Sequence, residues 1–115
     1  MIIEEILKID SACKQPAECT NITEVRNGID TVDKAILDLL QLRFAYVREV
    51  VKYKANDQGS IEAPARRQAV LETRSQWAAE RGLSPVVVGQ IYDTLVQYFI
   101  DEEKKIKNNL INNPS

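Results

Sequence analysis

The stretch from Ile22 to Lys54 constrains this chain more than any other: 33 residues with no proline and one glycine. Ile22, Val25, Ile29, Val32, Ile36 and Leu39 recur at alternating steps of three and four, the spacing of one face of an α-helix. The next step falls on Arg43, inside the stripe, before Tyr46 and Val50 resume it. Asn21 or Thr20 can cap the start, with Glu24 placed for a capping box, and Asn56 and Gly59 mark the end. At 1.5 Å per residue such a helix is roughly 50 Å long. A compact chain of this size has a radius of gyration of only about 13 Å. The apolar stripe therefore needs another surface to cover it, most simply a second copy of the chain.

The remainder reads as two shorter helices. Residues 56–63 form a loop, and Pro64 suits the first position of a second helix running to about Arg81, with Gly82 just past its end. Ser84 and Pro85 open a third helix that runs to about Lys107, with Val88, Ile91, Tyr92, Leu95, Phe99 and Ile106 on its apolar side. Lys104, Lys105 and Lys107 crowd the end of that helix, where its dipole favours cations. The expected fold class is all-α: a three-helix subunit with one long N-terminal helix. Residues 1–14 are expected as an N-terminal extension, 15–107 as one helical domain and 108–115 as a flexible tail.

What is missing narrows the chemistry. The chain has no histidine, which removes Ser-His and Cys-His catalysis and His-ligated metals. Cys13 and Cys19 are too few for a structural zinc site. They can form a disulfide geometrically, but two free thiols are the expectation in a reducing compartment. No glycine pattern cradles phosphate, no apolar run is long enough for a membrane span, and the N-terminus does not resemble a secretory signal. A net charge of −2 argues against nucleic acid as a partner. A cytoplasmic protein with no metal and no cofactor is expected, working with arginine, lysine, carboxylate and amide groups.

Two charged positions, Arg43 and Glu103, sit where apolar residues belong. Arg43 has two readings: an arginine that snorkels to water at a helix crossing, or one end of an anion-binding groove. For the second, Lys54 lies eleven residues on, about 20° around a continuous helix and roughly 16 Å along it, with Val47 between. Arg66, one turn into the second helix, can close over a small dianion there, whereas Arg67 reads as a solvated surface charge. Glu103 shares its face with Tyr92, Val96, Phe99 and Ile106, so its carboxylate points inward, either solvated or paired with an inward arginine. Glu102 falls off that face. Arg26 is seventeen residues from Arg43, about 25 Å along the helix and about 100° around it. If Arg26 serves a site, that site is built mainly by another subunit.

The segment 19–30, followed by Val32 and Asp33, resembles the opening of the all-helical chorismate mutase family. The runs 43–47, 53–55, 61–66 and 76–83 agree with it, and within the family they are most similar to the isochorismate pyruvate lyases of salicylate and siderophore biosynthesis. The resemblance implies an intertwined homodimer of the chorismate mutase type II fold, with two equivalent sites. Carried over by position, Arg26 is donated from the partner subunit and Arg43 holds a substrate carboxylate. Lys54 faces the ether oxygen and a carboxylate, Arg66 matches the second-helix arginine, and Val47 and Ile100 form apolar wall. Two positions depart from the mutase pattern. Acidic residues that contact the ring hydroxyl in mutases correspond to Ala63 and Arg67, which favours the lyase. The glutamine that faces the ether oxygen is Glu103, a side chain that donates a hydrogen bond only when protonated.

The function implied is cofactor-free conversion of isochorismate to salicylate and pyruvate, with weak chorismate mutase activity beside it. Such a pericyclic step needs a bound dianion held in its reactive conformer and a donor at the oxygen that gains charge. The alternatives are a dedicated chorismate mutase and a non-catalytic helical dimer whose inward charges are only ion-paired.

Overall fold

The computed structural model describes residues 14–54 and 63–112. The extension through Cys13 and the loop holding Asn56 and Gly59 lie outside the described residues. Three α-helices follow in order: α1 at Ile22–Val50, α2 at Pro64–Glu80 and α3 at Pro85–Asn112. Short 3₁₀ turns occupy Pro16–Glu18 and Val51–Tyr53. The chain divides into two compact units, one ending at Tyr46 and one beginning at Val47.

In the first unit the start of α1 is fixed by side-chain capping. Asn21 Oδ1 accepts the Glu24 N–H at 2.9 Å, which satisfies one of the orphan donors of the first turn. Glu24 Oε1 reaches back to Thr20, accepting from its hydroxyl at 2.5 Å and its N–H at 3.3 Å, and accepts from Asn21 Nδ2 at 2.9 Å. Lys14 closes the cluster with an ion pair to the other Glu24 oxygen. That lysine and the Thr20 hydroxyl hold the Glu24 carboxyl down at a pKa of about 2. Beyond the cap the apolar stripe is uncovered. Ile22, Val25, Ile29, Val32, Ile36 and Leu39 are all exposed, and no residue of α1 is buried.

The second unit holds the core. Val51 from the 3₁₀ turn, Val70 and Ala78 from α2, and Phe99 and Ile100 from α3 are buried. The turn between α2 and α3 is tight because Gly82 takes a left-handed φ of 73°. That conformation lets the Leu83 N–H reach Ala78 O at 2.9 Å and the Gly82 N–H reach Ala79 O at 3.1 Å, the paired bonds of a Schellman ending. Ser84 then caps α3, its Oγ accepting the Val87 N–H at 3.2 Å. Gly89 permits the close crossing of α2 and α3: a Cβ there would stand 3.0 Å from Ser75 Oγ. Farther along, Arg67 donates to Asp93 Oδ1 at 2.7 Å and to Gln97 Oε1 at 2.9 Å, tying the start of α2 to the middle of α3. Arg67 is therefore an interhelical clamp and not the solvated surface charge expected from sequence.

Two helix ends differ from expectation. The α-helical part of the first helix stops at Val50, and the chain tightens into 3₁₀ geometry before Lys54 takes extended backbone at φ −88° and ψ 145°. At the other end, α3 continues through Asn112, past the expected stop near Lys107.

Candidate active site

The structure brings Lys54 and Glu103 together. Lys54 follows the 3₁₀ turn at Val51–Tyr53, which packs against α3. Its extended backbone is anchored by its own N–H, which donates to Val51 O at 3.4 Å. From there Nζ donates to Glu103 Oε2 at 2.8 Å, with the side chains 20% and 7% exposed. This is a charge-assisted hydrogen bond in a largely dry setting, where such contacts are strong. The extended residue after the turn aims Lys54, which does not continue the α-helix.

Glu103 is inward, as its place on the α3 stripe predicts, and its partner is a lysine. Phe99 and Ile100, one turn earlier on the same face, are buried with it. Ile100 is thus available as apolar wall, and Val47 is half-buried. Glu102 is turned away, bonded to Lys105 at 3.2 Å. Arg66 is exposed on the first turn of α2.

Arg26 and Arg43 belong to the first unit. Arg43 is half-buried and engaged within the chain, with its Nη1 atom shielded from solvent. Arg26 is exposed. α1 is unbroken between them, so the roughly 25 Å separation calculated from helical rise holds, and one subunit cannot turn both side chains to a single small molecule.

Ala63 is the residue before α2 and has a left-handed φ of 37°. It offers no polar side chain. Sequence reasoning missed Lys107, which is 8% exposed and shares the buried face of Glu103. The signal was present in the spacing of four residues but was masked by the neighbouring Lys104 and Lys105. Among the described residues no cluster of acidic or cysteine ligands is arranged to hold a metal ion, and no helix is long and apolar enough to cross a membrane.

Residues 25–104 match the family Chorismate mutase type II. The chain is 34% identical to an isochorismate pyruvate lyase from Pseudomonas aeruginosa over 92 residues, 80% of this chain and 90% of that protein. It is 32% identical to a T-protein from Enterobacter agglomerans over 75% of this chain but 24% of that protein. A 4-amino-4-deoxychorismate mutase from Streptomyces pristinaespiralis is 28% identical over 70% of this chain and 64% of that protein.

Proposed function

The chain belongs to the chorismate mutase type II family, and we propose that it is an isochorismate pyruvate lyase acting as a homodimer. The observation that carries this reading is the Lys54 ammonium, held 2.8 Å from a buried Glu103, in a chain similar over four-fifths of its length to such a lyase. In the proposed reaction the ether bond between ring and enolpyruvyl group breaks. A ring hydrogen passes to the methylene carbon of the leaving group, which becomes the methyl of pyruvate, and the ring aromatises to salicylate. No group on the protein gains or loses an atom.

The protein's work is then positioning and electrostatics. Arg43 forks onto one substrate carboxylate, and Arg66 comes to the ligand from the start of α2. Lys54 supplies a compact donor to the ether oxygen as negative charge grows there. Val47 and Ile100 restrict the ring to its reactive conformer. Arg26 comes from the partner subunit, since helix geometry keeps it from the site that Arg43 serves. The uncovered stripe on α1 supports the dimer: burying residues such as Ile22, Ile29 and Ile36 recovers about 1.5–3 kcal/mol for each side chain fully covered.

Chorismate mutase is the second reading, favoured by the likeness to the 4-amino-4-deoxychorismate mutase. Against it stand Ala63, which has no polar side chain, and Arg67, which is committed to Asp93 and Gln97. Incubation with isochorismate and with chorismate, following salicylate and prephenate, tests the choice. Salicylate formed from isochorismate faster than prephenate from chorismate is the expected result. The reverse order makes the protein a mutase, and no turnover of either leaves a non-catalytic helical dimer.

A further inference from the structure

The first turn of α2 is weakly secured by its own residues. Ala63, at the N-cap, holds left-handed backbone at φ 37° and ψ 67°, and its side chain makes no capping hydrogen bond. That conformation is unfavourable for a residue with a Cβ and persists only where neighbouring contacts hold it. Pro64 presets a helical φ, but the turn has no acidic residue to meet the positive end of the helix dipole. It carries Arg66 and Arg67, two cations at the end where the dipole disfavours them.

A contact to α3 compensates. Arg67 Nη2 donates to Asp93 Oδ1 at 2.7 Å and Nη1 donates to Gln97 Oε1 at 2.9 Å, so one planar fork spans two acceptors a turn apart. The Gln97 amide is itself oriented, since its Nε2 donates to Asp101 Oδ1 at 3.0 Å. The Arg67 N–H donates to Ala63 O at 3.0 Å, so the residue clamped to α3 also closes the first turn of α2. With side chains 27% and 57% exposed, the Arg67–Asp93 pair adds little to global stability. Its effect is local: it sets where the first turn sits against α3. Arg66, next in the chain, is exposed, and Val70, one turn later on the same side of α2, is buried. Arg66 thus stands at the solvent edge of the side that enters the core.

We propose that Arg67 is a positioning residue of the site: its fork onto Asp93 and Gln97 fixes the first turn of α2 and so keeps the neighbouring Arg66 presented to the substrate. The inference rests on the function proposed above. Arg67 touches no substrate in this arrangement, because its guanidinium is spent on α3. Without the fork the uncapped turn frays, and Arg66 samples positions from which it no longer meets the dianion. Arg66 is a binding cation, present for substrate and transition state alike, so the loss falls mainly on KM.

The test measures steady-state turnover of isochorismate with and without Arg67→Met, once with Arg66 intact and once in an Arg66→Ala background. Asp93→Ala combined with Gln97→Ala, both at exposed positions, replaces Arg67→Met if that variant does not fold. With Arg66 present, losing the clamp is expected to cost about tenfold in kcat/KM, chiefly through KM. In the Arg66→Ala background the same change should cost less than about twofold, because nothing is left to position. Amide hydrogen exchange reads the clamp without substrate: residues 67–70 should exchange faster in Arg67→Met, while residues 76–79 keep their rates. Kinetics unchanged by Arg67→Met, or an equal loss with and without Arg66, overturns the role of Arg67 and leaves the lyase function standing. Wild-type protein inert toward both substrates, with the faster exchange present, overturns the lyase function and upholds the clamp on the first turn.

Discussion

Lys54 Nζ lies 2.8 Å from Glu103 Oε2 across 49 residues of sequence, and the carboxylate is the more buried partner. Removing the lysine therefore leaves a buried carboxylate short of a donor. Lys54→Met is expected to lower stability by about 1–3 kcal/mol in denaturant unfolding. It is also expected to lower kcat by about 10²–10³-fold if Lys54 is the donor proposed for the ether oxygen. A variant that keeps its activity while losing stability would show that Lys54 serves the fold alone.

Glu103 bears on the reacting oxygen. An amide can donate to the ether oxygen, whereas a carboxylate opposes the charge growing there. If the oxygen faces Glu103, Glu103→Gln raises kcat. An unchanged kcat would put Glu103 away from the reacting oxygen.

Subunit mixing tests the separation of Arg26 from Arg43 along α1. In the proposed homodimer, the Arg26→Ala and Arg43→Ala proteins are each expected to be nearly inactive. After exchange, mixed dimers regain one intact site of two, up to about a quarter of wild-type activity in a statistical mixture. No recovery after exchange verified by mass spectrometry would assign both arginines to one subunit's site. The same proteins should unfold at midpoints that rise with concentration, as dimers do.

The cap of α1 sets an acid limit. Glu24 has its pKa lowered from 4.5 to about 2 by Lys14 and the Thr20 hydroxyl. A carboxyl depressed in the folded state contributes stability that is fully present above its unfolded pKa and lost as pH falls through the folded one. Amide exchange at the first turn of α1 should therefore accelerate as pH drops from about 4.5 toward 2, after correction for intrinsic rates. Glu24→Gln should show the faster exchange already at neutral pH.

Gly82 and Gly89 differ in what they tolerate. Alanine at Gly82 meets no atom within 4 Å, yet its φ of 73° costs a residue with a Cβ about 1 kcal/mol. Alanine at Gly89 has ordinary helical geometry but pushes on Ser75 Oγ at 3.0 Å. Pairing Gly89→Ala with Ser75→Ala should relieve the clash and offset the loss of the Ser75 Oγ bond to Pro85 O at 3.2 Å, whereas in Gly82→Ala the same change should only add that loss. Thermal unfolding of the four proteins reads this directly.

Much of the fold was legible because local rules govern it. The stripe from Ile22 to Leu39, the Asn21–Glu24 cap, Pro64 at a helix start and Gly82 at a helix end each act within a few residues, and each is found as expected. The inward place of Glu103 followed from helical periodicity. What escaped notice depends on contacts between elements. Nothing near Val50 in sequence announces 3₁₀ geometry, which accompanies the packing of Val51–Tyr53 on α3. Arg67 looked solvated because Asp93 and Gln97 are 26 and 30 residues away. Lys107 looked like one of three terminal lysines because its burial depends on how α3 is covered.

The Arg67 clamp also bears on how a protein of this kind can change its substrate over evolutionary time. Arg67 stands where the resemblance puts an acidic residue in mutases, yet here it bonds Asp93 at 2.7 Å and Gln97 at 2.9 Å. An acidic side chain introduced at 67 would lose both bonds and face the carboxylate of Asp93. The same exchange no longer meets that repulsion once Asp93 has been neutralised. A route between the two activities therefore has a preferred order of steps, and residue 93, which touches no substrate in the proposed site, decides whether residue 67 is free to vary.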